Sequence, residues 1–219
     1  MCLSRNVRWA DTLRHTLRQV YEPTTRVPVP WLLSGEAALA LQGVDIEPGI
    51  IEFRAVSPFA VAYFSGFMKA YEAPANAATV IYRRGGAIPP SDYWCSNVHQ
   101  RIVAWGHEDQ ASWLGRWNVD GIAVQVLHTR GVPNDPLANI DQEQISRARF
   151  EGMDLPVAPL EYLLAESAAR AQQQTTNRIL HTLRASGYDA GTLNKALDVV
   201  PSDKAFRLLR LLEIHLVAG

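Results

Sequence analysis

The stretch PWLLSGEAALALQG, residues 30–43, constrains the fold more than any other part of the chain. A short apolar run ends at Ser34-Gly35, and Glu36–Gln42 then sets Ala, Leu and Gln at helical spacing up to Gly43, a suitable C-terminal cap. This is a strand, a tight turn and a short helix. Such a unit aims the first N–H groups of its helix at whatever lies beyond the strand end. The next apolar segment, Ile50–Val56, reads as a second strand. Its alternation puts Ile50, Glu52 and Arg54 on one face and Ile51, Phe53 and Ala55 on the other, buried one.

The rest of the chain changes style near residue 140. Before it, runs rich in Val, Ile, Trp, Phe and Tyr alternate with turn residues, predicting strands at Ala78–Arg83, Val98–Gly106, Trp113–Val119 and Ile122–His128. Asp120-Gly121 joins the last two as a tight hairpin turn. An N-terminal amphipathic helix carries Leu3, Val7, Leu13, Leu17 and Val20 on one face, and a further helix runs from Phe59 to Tyr71 behind Pro58. After residue 140 the spacing predicts helices at Gln142–Phe150, Leu160–Gln172, Asn177–Ser186, Gly191–Val199 and Asp203–Val217. The expected organisation is an α/β core over residues 1–139 and a C-terminal helical region over 140–219.

With 219 residues the chain can bury a sizeable core. A net charge of -1 and 20% charged residues give no global field to recruit nucleic acid or a membrane. No apolar run reaches membrane-spanning length, and the charged start MCLSRNVRWADTLRH is unlike a signal peptide, so a cytoplasmic location is expected. Cys2 and Cys95 are too few for a disulfide framework or a cysteine-built zinc site.

Four segments together resemble the small bacterial and archaeal nucleotidyltransferase-like proteins: PWLLSGEAALALQGVDIEPGIIEFRA, SDYWCSNVHQRI, WLGRWNVDGIAVQVL and LPVAPLEYLLAESAARA. The resemblance spans roughly residues 30–175, and the hydrophobic framework agrees better than the catalytic letters. It implies an α/β (α+β) fold, a mixed sheet flanked by helices with helices following. In that superfamily two acids two apart on the second strand, and a third on a later strand, hold Mg²⁺ against the nucleotide phosphates. Here the three positions fall on Ile50, Glu52 and Gln125. One carboxylate beside an amide is a weak anchor for Mg²⁺, and Arg54 adds positive charge on the same face. A second register would use Asp45 and Glu47. Pro48 counts against it, because a proline removes a ladder donor where a central strand is needed.

The resemblance also makes Ser34, Gly35, Glu36 and Arg54 the candidate nucleotide-binding residues, with Glu52 and Gln125 as a vestigial catalytic pair. Glu36 stands where Ser or Gly is usual and would repel a triphosphate; a first-turn acid compensating the helix dipole is its bland reading. Ser34 could equally cap the helix. The basic position after the P-L-E-Y-L segment is represented by Ser167 or Arg170. Other polar residues give weaker signals. His99, His107 and His128 show no metal-binding spacing, and no G-x-S-x-G elbow occurs. Arg83-Arg84-Gly85-Gly86 reads as a solvated hairpin tip, and Trp94, Trp105, Trp113 and Trp117 as sheet packing.

These readings converge on a catalytically degenerate nucleotidyltransferase-fold protein retained for nucleotide or protein binding, with no cofactor expected. Two alternatives stay open. One is an active enzyme moving an NMP group from an NTP to a hydroxyl, which would require Mg²⁺. The other is an oligomerisation subunit, since Phe206, Leu208, Leu209, Leu211, Leu212, Ile214 and Leu216 make the last helix apolar over a wide arc. The implied partners are therefore a nucleotide, and a second copy or another protein at that helix.

Overall fold

The computed structural model describes residues 8–21, 31–68, 71, 103–106 and 110–213. The chain divides into two compact units, the described residues of 1–37 with 47–131 and those of 38–46 with 132–219. The expected strand Ala78–Arg83, the first part of Val98–Gly106, and His99, His107, Trp94, Arg83-Arg84-Gly85-Gly86, Cys2 and Cys95 lie outside the described residues.

The first unit contains helix α1 (Arg8–Val20), strand β1 (Trp31–Ser34), the start of helix α2 (Gly35–Leu41), strand β2 (Ile50–Ala55), helix α3 (Pro58–Phe67) and strands β3 (Val103–Gly106), β4 (Ala111–Val119) and β5 (Ile122–Arg130). Among the described residues its five strands lie in the order β3-β4-β5-β2-β1. β2 and β5 are parallel; β1/β2, β4/β5 and β3/β4 are antiparallel, so the sheet is mixed. The β4–β5 hairpin closes at Asp120-Gly121, both left-handed with φ of 53° and 86°, and Gly121 N–H donates to Asn118 Oδ1 at 2.9 Å. This turn pairs Val119 with Ile122 and so fixes every pairing down the hairpin.

One face of this sheet is covered by apolar side chains. Trp31, Leu33, Ile51, Phe53, Val124, Val126 and Trp117 alternate onto it and are buried. Helix α3 adds Val61 and Phe64, and its Ser57 N-cap accepts from Ala60 N–H at 3.1 Å. Phe53 meets Trp31 edge-on at 5.0 Å and Phe64 at 4.9 Å, and Phe64 stacks on Trp117 at 6.3 Å. The Trp117 indole lies across Gly115, where an added Cβ would sit 2.1 Å from the ring. Helix α1 contributes Leu13 and Leu17, both fully buried. Trp113 and Trp117 are therefore sheet-face packing residues, as their strand spacing implied.

The second unit departs from the sequence expectation at one place. Gln142–Phe150 is not a helix: a 3₁₀ turn at Gln142–Gln144 leads into strand β6 (Ser146–Phe150), which pairs antiparallel with β7 (Met153–Val157). Gln, Glu, Arg and Ala give this stretch helical propensity, but Glu151-Gly152, with φ of 49° and 82°, folds it into a two-residue hairpin. Ala148 and Phe150 then point inward and Arg147 and Arg149 outward. Residues 140–213 are thus a hairpin followed by helices α4 (Leu160–Ala169), α5 (Gln173–Ser186), α6 (Ala190–Leu197) and α7 (Ser202–Glu213).

Helix α4 is buried around most of its circumference, from Glu161 to Ser167, and packs against α5, α6 and α7. Its two buried acids are satisfied locally. Glu161 Oε1 accepts from Asp189 N–H at 2.9 Å, and Glu166 pairs with Arg170 at 2.9 Å. Ser167 donates to Leu164 O and bonds Thr176 Oγ1, so both residues at the expected basic position serve helix packing and termination. On α7, Leu208 and Leu212 face inward, whereas Phe206 is exposed. Leu208 therefore does not belong to the outward arc expected of this helix; Ile214 and Leu216 lie beyond the described residues. Among the described residues no helix is long and apolar enough to cross a membrane.

Candidate functional site

The opposite face of the five-stranded sheet carries the candidate residues, and the register aligns them. Ser34 on β1 pairs with Glu52 on β2, Glu52 with Gln125 on β5, and Gln125 with Arg116 on β4. Four strands thus present four polar side chains in one transverse row. All four are buried, as is Arg54 beside them.

The row is a continuous hydrogen-bonded chain. Ser34 Oγ–H donates to Glu52 Oε1 at 2.8 Å, and the Gln125 amide nitrogen donates to Glu52 Oε2. Arg116 donates twice to the Gln125 amide oxygen, from Nε at 3.0 Å and from its terminal nitrogen at 2.7 Å. Arg54 Nε stands 3.3 Å from Glu52 Oε1. Chemistry dictates the orientation of the central amide. Turned over, Gln125 would set its oxygen against the carboxylate and its NH₂ against the guanidinium, two repulsive contacts in place of two attractive ones.

Each element places its member for a local reason. Gly35 adopts φ of +58° at the end of β1, and an added Cβ would come 3.4 Å from Glu52 Cβ. Glycine is what lets the chain turn into α2 directly over the carboxylate. Ser34 is fully buried, and its hydroxyl reaches across the strand pair to Glu52. Glu36, on the first turn of α2, accepts from Gly49 N–H at 2.7 Å and ties down the residue before β2. Ile50 begins β2 at the sheet rim, 40% exposed and paired with Ala123. Asp45 and Glu47 are exposed and lie outside any strand. His128 sits on the other face, where Nδ1 lies 3.0 Å from Ala55 O, so that nitrogen carries the proton in a neutral ring.

Sequence reading found Glu52, Gln125, Arg54 and Ser34 but missed Arg116. The signal was present: a two-residue turn at Asp120-Gly121 makes paired residue numbers on β4 and β5 add to one constant, and Arg116 is then the partner of Gln125.

This arrangement does not fit a divalent cation. Mg²⁺ needs oxygen ligands in a near-octahedral shell, without cationic donors competing for them. Both Glu52 oxygens already accept hydrogen bonds, Gln125 Oε1 accepts two from Arg116, and the neighbouring charges are guanidinium groups. No mechanistic step through a metal follows from these residues. What the row does is set two positive charges against one negative charge inside the protein. Arg54 and Arg116 supply positive charge, Glu52 negative charge, and the Gln125 amide relays polarity between Glu52 and Arg116.

No protein-family model matches the chain, and no curated protein matches it in sequence. Among solved structures, it is similar to the crystal structure of a "putative nucleotidyltransferase" from Thermotoga maritima, with 20% identity, a TM-score of 0.47, and coverage of 80% of this chain and 92% of that one. At that identity the likeness concerns the fold alone.

Proposed function

We propose that this chain is a catalytically degenerate protein of nucleotidyltransferase-like fold that acts by binding rather than by metal-dependent nucleotidyl transfer. One observation carries this reading. The carboxylate at the second acid position, Glu52, is 7% exposed and is held by Ser34, Gln125 and Arg54, with an amide at the third position and Ile50 at the first. A residue so engaged has exchanged a catalytic role for an internal one.

The test is incubation with each radiolabelled NTP, Mg²⁺ and candidate acceptors, alongside calorimetric titration of NTP with and without Mg²⁺. The expected result is no transferred label and no Mg²⁺-dependent heat. Mg²⁺-dependent transfer that disappears in Glu52→Gln would establish the enzyme alternative instead. The double variant Ile50→Asp/Gln125→Glu restores acids at both lost positions and should gain Mg²⁺ affinity if the register is right.

A second reading, an assembly subunit, is favoured by exposed aromatics. Phe59 is 87% exposed and Tyr63 57% on α3, in a helix without a charged residue, and Phe206 is 66% exposed on α7. Patches of this kind mark protein contacts. A sedimentation series on the intact chain should then show concentration-dependent association, reduced by Phe206→Asp or by Phe59→Asp/Tyr63→Asp. A monomer at every concentration would leave binding of a different partner or of a small ligand.

A further inference from the structure

The second unit contains a cavity of about 140 Å³ that plays no part in the strand row. Its walls are apolar where the C-terminal end of α4 meets α7, through Ala168, Ala171, Leu208 and Leu211, and cationic at Lys204 and Arg207. The volume sets the scale of any occupant. Nucleotides and drug-sized ligands occupy roughly 300 Å³ or more. An apolar cavity of about 150 Å³, by contrast, holds one benzene.

The polar groups set its charge. Lys204 Nζ donates to Ala168 O and Ala169 O, each at 3.3 Å, so the ammonium neutralises the carbonyl end of α4 and keeps a third N–H. Arg207, three residues further along α7, forms an ion pair with none of the described acids. Thr176, also on the wall, already bonds Gln172 O at 3.0 Å and Ser167 Oγ at 2.9 Å, so it does not demand a ligand of its own. Helix α5 starts at the same wall with no acidic side chain in its first turn. An apolar body one ring in size with a single negative charge matches the two main surfaces of this cavity, the ring against alanine and leucine and the charge against lysine and arginine, with Gln173 and Thr176 completing the wall.

We propose that this cavity is a binding site for a small organic carboxylate whose apolar part is about one ring in size. The site belongs to the helical unit and is independent of the Glu52 row, so the two readings stand or fall separately. Sodium benzoate is the probe, followed by ¹⁵N–¹H spectra of the intact chain, with benzyl alcohol and inorganic phosphate as the neutral and apolar-free controls. Benzoate should give saturable shifts at the residues around Ala168, Thr176 and Leu208. Benzyl alcohol and phosphate should each bind at least about tenfold more weakly, because each lacks one of the two interactions. Arg207→Met, which leaves the Lys204 contacts in place, should weaken benzoate about tenfold, and Lys204→Met/Arg207→Met should weaken it further. Leu211→Trp should fill the cavity and abolish the shifts, with circular dichroism checking that each variant is folded. Non-saturable shifts with benzoate, equal affinity for benzyl alcohol or phosphate, or unchanged affinity in a folded Lys204→Met/Arg207→Met variant would each overturn the proposal.

Discussion

The two faces of the five-stranded sheet are both buried, yet they are built on opposite principles. The face under α1 and α3 is a packed apolar layer of Trp31, Phe53, Phe64 and Trp117. The other carries Ser34, Glu52, Gln125 and Arg116 in one bonded row, with Arg54 buried beside Glu52. Apolar packing is a sum of many weak contacts, so its loss is graded. A buried polar row is held by a few strong bonds, and removing one member strands its partners without water to replace it. Neighbouring residues on β2, one facing each way, should therefore respond very differently to substitutions of similar size.

The largest effect is expected from Glu52→Leu. It leaves Arg54 and the Gln125–Arg116 pair buried without their carboxylate, and should cost about 3–5 kcal/mol. Urea denaturation followed by fluorescence would read this as a large fall in midpoint. Phe53→Leu, one residue away on the apolar face, keeps the chemistry and loses some volume, and should cost about 1–2 kcal/mol. If the two losses were equal, the polar row would be no more cooperative than the core it backs.

Gln125→Leu sharpens the contrast. It removes the relay between Glu52 and Arg116, leaving one carboxylate oxygen and one guanidinium without their mutual bridge, and about 2–3 kcal/mol should be lost. In a double-mutant cycle, Gln125→Leu with Arg116→Met should lose less than the sum of the two single losses, because each single substitution already breaks the bond the two residues share. Strict additivity would show that the row is not a unit. The smallest effect belongs to Ser34→Ala. Glu52 keeps its hydrogen bond from Gln125 and its ion pair with Arg54, so a loss of about 1 kcal/mol is expected in the same denaturation assay.

Much of this contrast was legible in the residues. The alternation of Ile50–Ala55 divides the two faces correctly, and the Ser34-Gly35 turn sits where β1 hands over to α2. The resemblance marked Gln125 as a third position on a later strand, and the register pairs it with Glu52. What alternation does not carry is burial of the polar face. Period-two patterning says that Glu52 and Arg54 share a side, but whether that side meets solvent depends on packing far away in sequence. The same limit explains Ser34, whose partner lies eighteen positions on and was hidden from any local reading of the turn. The β6–β7 hairpin was obscured differently, because the helical propensities of Gln142–Phe150 outweighed a two-residue turn signal at Glu151-Gly152. In each case local propensity gave way to pairing with a distant or unrecognised partner.

The central claim is that the Glu52 row is an internal hydrogen-bonded network rather than a metal-binding face. The most direct measurement is paramagnetic broadening of the Gln125 side-chain NH₂ resonances when Mn²⁺ and ATP are added to the ¹⁵N-labelled chain. Gln125 donates to the same carboxylate a metal would need, so a bound ion would lie within a few ångströms of those protons. The network account predicts that both resonances keep their widths and shifts throughout the titration. Their selective loss, reversed by competing Mg²⁺, would contradict it and make Glu52 a metal ligand.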